Sequence, residues 1–168
     1  MELHFLGNGS QLESLQNAAS NYSSVTVFHG HCSDVFSKLR EFSFYMLTSI
    51  SEGLPVALLE AMAAGCIPIA YNIDFGPSDV ITHGQNGWLV EPGNIDQLKE
   101  VVLMASSLPD EELEKMRQAA IKTAEEYSVH NVLSMWKNCK LQARKRKAEK
   151  MSRIFYENQL KNDLTLCK

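Results

Sequence analysis

Five short apolar segments, each separated from the next by one helix-like segment, constrain the fold of this chain more than any other feature. The apolar segments cover residues 3–6, 25–28, 44–48, 66–71 and 87–90, and the helix-like segments cover 10–20, 33–42, 55–64, 76–82, 95–107 and 110–126. Strands that alternate with single helices pair in parallel, because each helix carries the chain back across the sheet. The sequence therefore predicts an α/β fold with a parallel sheet and helices on both faces.

The helix predicted over residues 55–64 carries a single acid. Pro55 suits its first turn, where a missing N–H costs nothing, and Gly65 suits the left-handed cap just past its end. Every residue from 56 to 64 except Glu60 is apolar, so we expect the helix to be buried on nearly all sides with Glu60 inside. A buried carboxylate is costly unless it is hydrogen-bonded or neutralised. Glu60 therefore needs a partner, either a protein donor or the hydroxyl groups of a bound sugar or ribose.

The start of the same helix predicts a site for an anion. In a parallel sheet, ligands bind where strands end and loops lead into helix N-termini. The N–H groups around Leu54 to Ala57 are expected to be free of helical partners, and with the helix dipole they suit a diphosphate. Glu52, at the edge of this opening, is able to accept hydrogen bonds from sugar hydroxyls. An acid near a helix start also has an ordinary structural explanation.

Glu52 and Glu60 stand eight positions apart in residues 51–65, Ser-Glu-Gly-Leu-Pro-Val-Ala-Leu-Leu-Glu-Ala-Met-Ala-Ala-Gly. This segment resembles the E-x7-E motif of retaining GT-B glycosyltransferases, the glycosyl transferases group 1 family. Further similarities follow in the family's order: Ile-Pro-Ile-Ala at 67–70, Gly-Pro-Ser-Asp at 76–79 and Gly-Gln-Asn-Gly-Trp-Leu-Val-Glu-Pro-Gly at 84–93. The resemblance covers residues 3 to about 136, and it implies a Rossmann-like domain that forms one half of a GT-B fold.

The resemblance also implies roles for individual residues. Glu60 would hold the ribose hydroxyls of the nucleotide, and Glu52, the candidate catalytic residue, would hold donor-sugar hydroxyls near the reacting carbon. The sugar and the pyrophosphate would meet the backbone of a segment formed by Gly53, Leu54, Pro55 and Val56. The phosphate and the base would be flanked by two loops that contain Gly7, Gly9, Gly30 and His31.

The implied activity is transfer of a hexose or N-acetylhexosamine from a nucleotide sugar, commonly UDP-linked, to a cell-surface glycan or a lipid-linked acceptor, without a cofactor or a metal ion. In the family, an Arg/Lys pair at the start of the domain and an N-terminal domain that binds the acceptor complete the active site. The sequence holds neither, since its first Lys or Arg is Lys38. We therefore expect the chain to be inactive alone. The alternative is a non-catalytic sugar-nucleotide-binding subunit that needs a partner chain.

Charge separates the chain into two parts. Residues 1–136 hold six Lys or Arg against 17 Asp or Glu, whereas residues 137–168 hold ten against three. We predict a donor-binding domain over 1–136, which lacks the first strand of the family domain, and a basic C-terminal helix or tail over 137–168. The segment 144–153 suits either an anionic membrane surface or a solvated charged helix. The acidic body argues against nucleic acid as a partner.

Residue spacing disfavours several other classes of function. Gly7-Asn8-Gly9 starts like a dinucleotide fingerprint, but Leu12 stands where a third glycine is needed. The five histidines and four cysteines show no metal-ligand spacing, which predicts no metal site and reduced thiols. Because no segment reads as a membrane span or a signal peptide, we expect a cytoplasmic protein that is at most peripheral at the inner face of the membrane.

Overall fold

The computed structural model describes the backbone of residues 1–165 and the side chains of residues 1–147, 149 and 150. The chain divides into two compact units, with the boundary after Glu125. The strands are β1 (Leu3–Phe5), β2 (Thr26–Phe28), β3 (Phe44–Leu47), β4 (Ile67–Tyr71) and β5 (Trp88–Val90). The helices are α1 (Leu12–Ala18), α2 (Val35–Leu39), α3 (Val56–Ala63), α4 (Pro77–Val80), α5 (Ile95–Ser106), α6 (Asp110–Glu126) and α7 (Val129–Thr165), with a 3₁₀ turn at Ser20–Tyr22.

The strand pairs are parallel, which confirms the predicted α/β class. They form two hydrogen-bonded groups: β1 pairs with β2, and β4 pairs with β3 on one edge and with β5 on the other. Within the described residues, β1 and β3 each leave their second edge without a strand partner. The two groups approach each other near His4 of β1, whose ring centroid lies 4.7 Å from that of Phe42, just before β3.

β4 lies at the centre of the core, and all of its residues are buried. Ile67, Ile69 and Tyr71 pack on one face of β4 with residues of β5, α5 and α6, namely Trp88, Val90, Val101, Ala105 and Met116. Cys66, which points to the opposite face, packs with Leu39 of α2 and Ala61 of α3. Full burial of a side chain such as Ile67 contributes about 1.5–3 kcal/mol. Helices therefore cover both faces of the sheet, as predicted.

The expectation that α3 is buried nearly all round, with Glu60 inside, is wrong. One side of the helix is buried, through Leu58, Leu59, Ala61 and Met62. The other side is exposed and carries Val56, Ala57, Glu60 and Ala63. Residues 56, 60 and 63 share one helix face because they are spaced by about one turn. The exposed face carries alanine and valine, which also occur in buried helices. The local sequence pattern therefore does not show whether one side of the helix is covered or both.

The C-terminal end of α3 is held by a helix distant in sequence. Gly65 has a φ of +94°, as its predicted role past the end of the helix requires. The Gly65 carbonyl oxygen accepts a hydrogen bond of 2.9 Å from Arg117 Nη1 of α6. The stem of Arg117 lies against the open side of Gly65, 3.7 Å from the position that a Cβ would occupy. Arg117 therefore fixes the far end of the helix that carries Glu60.

Two features position the segment 84–93: the buried side-chain amide of Asn86 and the close contact between Gly87 and Pro68 of β4. Asn86 Nδ2 donates hydrogen bonds to the Val80 carbonyl oxygen, at 3.0 Å, and to Thr123 Oγ1, at 2.9 Å. Its Oδ1 accepts a hydrogen bond of 2.7 Å from the Thr82 N–H. At Gly87, a Cβ would lie 2.5 Å from Pro68 Cγ, so only glycine lets this turn pack on β4. Asn86 therefore connects the end of α4 to α6, and the segment continues directly into β5.

The starts of two short helices differ from their predictions. The helix predicted over residues 10–20 begins at Leu12, and its N-cap Gln11 makes no side-chain cap hydrogen bond. The helix expected from residue 33 begins at Val35, because the Asp34 carboxylate caps it by accepting the Ser37 N–H at 3.0 Å. Serine and aspartate both cap well, so propensity alone does not choose between neighbouring positions.

α7 runs without a break through the basic segment that starts at Arg144. Among its described side chains only Val132 and Ser134 are partly buried, and the others are exposed. Side chains 151–153 of the predicted lipid-binding segment lie outside the described residues. In the part of the chain that the structure describes, no helix combines the length and the apolar character needed to cross a bilayer.

Candidate functional site

Two loops meet at the carboxyl ends of β3 and β4, and their contact depends on Gly76. The α3 loop (residues 48–55) leads from β3 into α3, and the Gly76 turn (residues 72–76) leads from β4 into α4. Gly76 has a φ of +96°, and a Cβ there would lie 2.6 Å from the Gly53 carbonyl oxygen, 3.1 Å from Pro55 Cδ and 3.3 Å from Glu52 Cβ. Only glycine allows this approach. The two loops therefore form one surface.

The Gly76 turn is closed by its own hydrogen bonds. The Gly76 N–H donates to Asp79 Oδ2 at 3.0 Å, and the Asp79 N–H donates to the Gly76 carbonyl oxygen at 3.1 Å. Ser78 Oγ donates to the Ile73 carbonyl oxygen at 3.3 Å. Asp79 thus acts as a turn and cap residue. This closed turn supports the α3 loop beside Glu52.

The first turn of α3 offers fewer free donors than expected. The Val56 N–H donates to the Leu54 carbonyl oxygen at 2.9 Å, so it is not free, contrary to the prediction. Pro55 has no N–H, and its carbonyl oxygen accepts the N–H groups of Leu58 and Leu59. Within the described residues, three N–H groups near the helix start have no hydrogen-bond acceptor, those of Gly53, Leu54 and Ala57. These donors and the helix dipole remain suited to an anion.

The Glu52 and Glu60 carboxylates have no protein partner among the residues that the structure describes. Glu52 is half-buried and Glu60 is exposed. In the described part of the chain, no hydrogen bond or ion pair is formed by either carboxylate. Glu60 therefore accepts no hydrogen bond from a protein donor within these residues. This disfavours the first of the two predicted partners, a protein donor, relative to the hydroxyl groups of a bound sugar or ribose.

Tyr45 of β3 is a third side chain of the site, and sequence reasoning missed it. Its ring packs beside the buried cluster of Leu39, Ala61 and Cys66. Burial, followed by the negative charges of Glu52 and Glu60, raises the pKa of the Tyr45 hydroxyl. Both carboxylates are therefore within electrostatic reach of one phenol. The sequence signal that could have identified Tyr45 is its hydroxyl group, which stands in a strand whose other side chains are apolar.

Large exposed apolar side chains belong to the same loops and the same helix start as these groups. Ile50 and Leu54 of the α3 loop are 83% and 58% exposed, Val56 at the start of α3 is 55% exposed, and Phe75 of the Gly76 turn is 71% exposed. Large apolar side chains grouped on a surface commonly mark a site of binding. Here they share two loops and the start of α3 with Glu52 and with the three N–H groups that have no acceptor in the described residues.

The glycines predicted to flank phosphate and base form a second group at the ends of β1 and β2. The Gly7 N–H donates to the Gly30 carbonyl oxygen at 2.7 Å, which joins the two loops. Both glycines have positive φ angles, +126° and +67°. A Cβ at Gly7 or at Gly9 would meet no atom within 4 Å in the described residues, so the backbone there is open to a ligand. His31 is exposed at the same end of β2.

Cys66 is buried in the core and offers no reactive thiol to this site. Cys66 Sγ donates to the Leu39 carbonyl oxygen at 3.1 Å, and burial raises the pKa of the thiol to about 11. The thiol therefore stays protonated and unreactive at neutral pH. No group of three or more His, Cys, Asp or Glu side chains is close enough to hold a metal ion in the described residues.

The fold and the site together define a parallel α/β domain with a candidate ligand site where strands lead into helix starts. Residues 1–124 match the model of the family described as glycosyl transferases group 1. The chain belongs to this family. Glu52, Glu60 and Gly76 all lie within the matched residues.

Three similar proteins illustrate the relationship. An uncharacterized glycosyltransferase of Haemophilus influenzae is 28% identical over 137 residues, which cover 80% of this chain and 38% of the relative. The poly(glycerol-phosphate) alpha-glucosyltransferase of Bacillus subtilis is 27% identical over 138 residues, which cover 80% of this chain and 20% of the relative. A structure of a Staphylococcus aureus TarM mutant with fondaparinux, alpha-GlcNAc-glycerol and UDP is 26% identical with a TM-score of 0.75, and the match covers 82% of this chain and 28% of that one. The chain thus spans well under half the length of these proteins.

Proposed function

We propose that this chain is the donor-binding part of a retaining glycosyltransferase. The enzyme would transfer a hexose or N-acetylhexosamine from a UDP-linked donor to a cell-surface glycan or a lipid-linked acceptor. The observation that carries the proposal is Glu60, an exposed carboxylate with no partner in the described residues, one helix turn from unpaired N–H groups. Carboxylates accept hydrogen bonds from hydroxyls, and helix N-termini bind phosphates. A nucleoside diphosphate sugar carries both groups.

Each part of the donor has a proposed contact. Glu60 accepts hydrogen bonds from the ribose hydroxyls, and Glu52 accepts them from the sugar near the reacting carbon. The N–H groups of Gly53, Leu54 and Ala57, with the dipole of α3, meet the pyrophosphate and stabilise the leaving charge without a metal ion. The joined loops at Gly7 and Gly30 flank phosphate and base. A bound donor that covers the exposed apolar side chains of the same loops would remove water from these contacts, which strengthens them.

The similar proteins support the proposed donor and acceptor classes. The TarM structure contains UDP, and the Bacillus subtilis relative is named as a glucosyltransferase of poly(glycerol-phosphate). Both similar proteins are consistent with a UDP-linked donor and with a glycan or related polymer as the acceptor. We place the reaction on the cytoplasmic side of the membrane, with any membrane contact made at the surface.

Titration calorimetry of the purified chain tests the donor site. We expect UDP, UDP-glucose and UDP-N-acetylglucosamine to bind, and uridine to bind at least tenfold more weakly, because it lacks the charges that the α3 start recognises. GDP is the control for the base, and we expect it to bind more weakly than UDP. Equal affinities for uridine and UDP would contradict the proposed phosphate site, and equal affinities for GDP and UDP would contradict the choice of uridine nucleotides.

We expect the purified chain to transfer no sugar when UDP-[¹⁴C]glucose or UDP-[¹⁴C]N-acetylglucosamine is supplied with a glycan acceptor. Catalysis requires further positive charge near the leaving diphosphate and an acceptor hydroxyl positioned at the reacting carbon, and the proposed site contains neither. Transfer of label to the acceptor by the chain alone would refute this expectation.

A second candidate function is a sugar-nucleotide-binding subunit that works with a partner chain. One similar solved structure, 25% identical with a TM-score of 0.72, is described as a GtfA/B complex, and this assembly is the observation that favours the alternative. A gene that continues upstream into a second α/β domain supports the first function. Restoration of transfer by a separately encoded chain supports the second.

A further inference from the structure

Two asparagines of the sequence are followed directly by glycine, at positions 8–9 and 86–87. In such a pair, the main-chain nitrogen of the glycine is able to attack the side-chain carbonyl carbon of the asparagine, because glycine has no Cβ to obstruct the approach. The two reacting groups belong to neighbouring residues, so proximity alone drives the reaction. Its rate in a folded protein therefore depends on how freely the two residues move.

Asn8 and Gly9 are free to react. Both residues are exposed and lie in the loop between β1 and α1. Within the described residues, the Asn8 side chain makes no hydrogen bond and the Gly9 N–H has no acceptor. A Cβ at Gly9 would meet no described atom within 4 Å. The Asn8 side chain therefore has room to turn towards the Gly9 nitrogen.

Asn86 and Gly87 form the same dipeptide in a closed environment. Asn86 is 4% exposed, and hydrogen bonds to both polar atoms of its amide hold the side chain in place. Gly87 is buried, and its contact with Pro68 leaves the turn no space to rearrange. The fold thus leaves one Asn-Gly pair open to reaction and holds the other fixed.

We propose that Asn8 is a site of spontaneous covalent modification by water, and that the modification weakens donor binding. The Gly9 nitrogen forms a bond to the Asn8 side-chain carbonyl carbon, the C–N bond of the side-chain amide breaks, and ammonia leaves with the proton of the Gly9 N–H. Water then adds to one of the two carbonyl carbons of the cyclic imide and opens the ring. Opening on one side gives aspartate. Opening on the other side gives isoaspartate, in which the main chain runs through the former side chain.

Isoaspartate would change the geometry of the loop. It lengthens the main chain between residues 8 and 9 by one C–C bond of about 1.5 Å. Two hydrogen bonds flank this point, from the Gly7 N–H to the Gly30 carbonyl oxygen at 2.7 Å and from the Leu12 N–H to the Gly9 carbonyl oxygen at 3.1 Å. We expect the longer chain to displace at least one of them. The effect on binding rests on the proposed function, in which these loops flank the phosphate and the base.

Peptide mapping by mass spectrometry, after the full chain has aged in H₂¹⁸O, tests the modification. We expect Asn8 to become aspartate and isoaspartate with ¹⁸O incorporated, at least tenfold faster than Asn86, whose reaction requires the turn to open first. In urea, which unfolds the chain, the two asparagines should react at similar rates because the dipeptides are identical. An Asn8 that reacts no faster than Asn86 in the folded chain would overturn the proposal.

Calorimetric titration of fresh and aged chains with UDP tests the effect on binding. We expect the number of UDP sites per chain to fall in proportion to the isoaspartate at position 8. The matched control is Asn8→Gln, which keeps a side-chain amide but reacts far more slowly because the attack would close a larger ring. It should keep its UDP sites through the same ageing. Asn8→Asp adds the charge without lengthening the main chain, and its UDP affinity should change by less than about threefold because the charge is exposed and screened.

The outcomes separate the modification from the proposed function. Equal loss of UDP sites in the aged Asn8→Gln chain, or full UDP binding by chains rich in isoaspartate, would overturn the effect on binding. A fresh chain that binds no UDP would contradict the proposed function and with it this effect, whereas the peptide map alone decides whether Asn8 is modified.

Discussion

Replacing Glu60 with alanine is expected to weaken UDP binding by roughly ten- to a hundredfold. Hydrogen bonds to a charged group contribute about 1.5–3 kcal/mol each, and the proposed contact with ribose depends on this one carboxylate. The stability of the fold should not change, because Glu60 is exposed and has no partner in the described residues. An affinity loss in Glu60→Ala therefore reports on the ligand and not on the folding of α3.

Calorimetric titration of the Glu60→Ala chain with UDP and with 2′-deoxy-UDP tests this role. The unmodified chain should bind UDP more tightly than the deoxy compound, and the variant should bind the two equally, because the carboxylate that senses the hydroxyl is gone. Glu100→Ala, which removes an exposed acid of α5, is the matched control and should bind like the unmodified chain. Equal UDP affinity in Glu60→Ala and in the unmodified chain would remove the ribose role.

Replacing Gly76 with alanine is expected to destabilise the first unit by roughly 3 kcal/mol, from two separate causes. A non-glycine residue at a φ of +96° has a strained backbone, which costs about 1–3 kcal/mol. In addition, the new Cβ would lie 2.6 Å from the Gly53 carbonyl oxygen, and relieving such overpacking typically costs about 1–3 kcal/mol. The α3 loop would have to move, so UDP affinity should fall as well.

Urea unfolding of Gly76→Ala and Gly84→Ala separates the two causes. Gly84 has a similar φ of +75°, but a Cβ there would meet no described atom within 4 Å, so alanine adds strain without a clash. We expect a clearly smaller loss of free energy of unfolding at Gly84, and unchanged UDP affinity. Equal losses at the two glycines would show that the contact between the α3 loop and the Gly76 turn does not matter for stability.

The order and type of the elements follow from local signals in the sequence. Short apolar runs identify the five strands, and Pro55 and Gly65 bracket α3 within one residue. The parallel pairing follows from the alternation of strands and helices. These features depend on neighbours in sequence, which is why they can be predicted without knowledge of the rest of the fold.

The parts of the site that escaped prediction depend on residues far apart in sequence. Gly76 approaches Gly53 across 23 positions, and Tyr45 comes within reach of Glu60 only when β3 and α3 pack together. The exposure of Glu60 depends on which elements cover α3. The apolar composition of the helix does not reveal how many elements pack against it. The family resemblance identified the two carboxylates, whereas the structure shows the contacts around them.

The link between Gly65 and Arg117 has a consequence for synthesis of the chain. Arg117 stands 52 positions after the carbonyl oxygen to which it donates. A ribosome therefore completes the whole of α3 and the whole core strand β4 well before the residue that fastens the end of α3 emerges. Until then, the C-terminal end of the helix that carries Glu60 lacks this clamp. A nascent chain paused before residue 117 should expose this helix to proteases and chaperones.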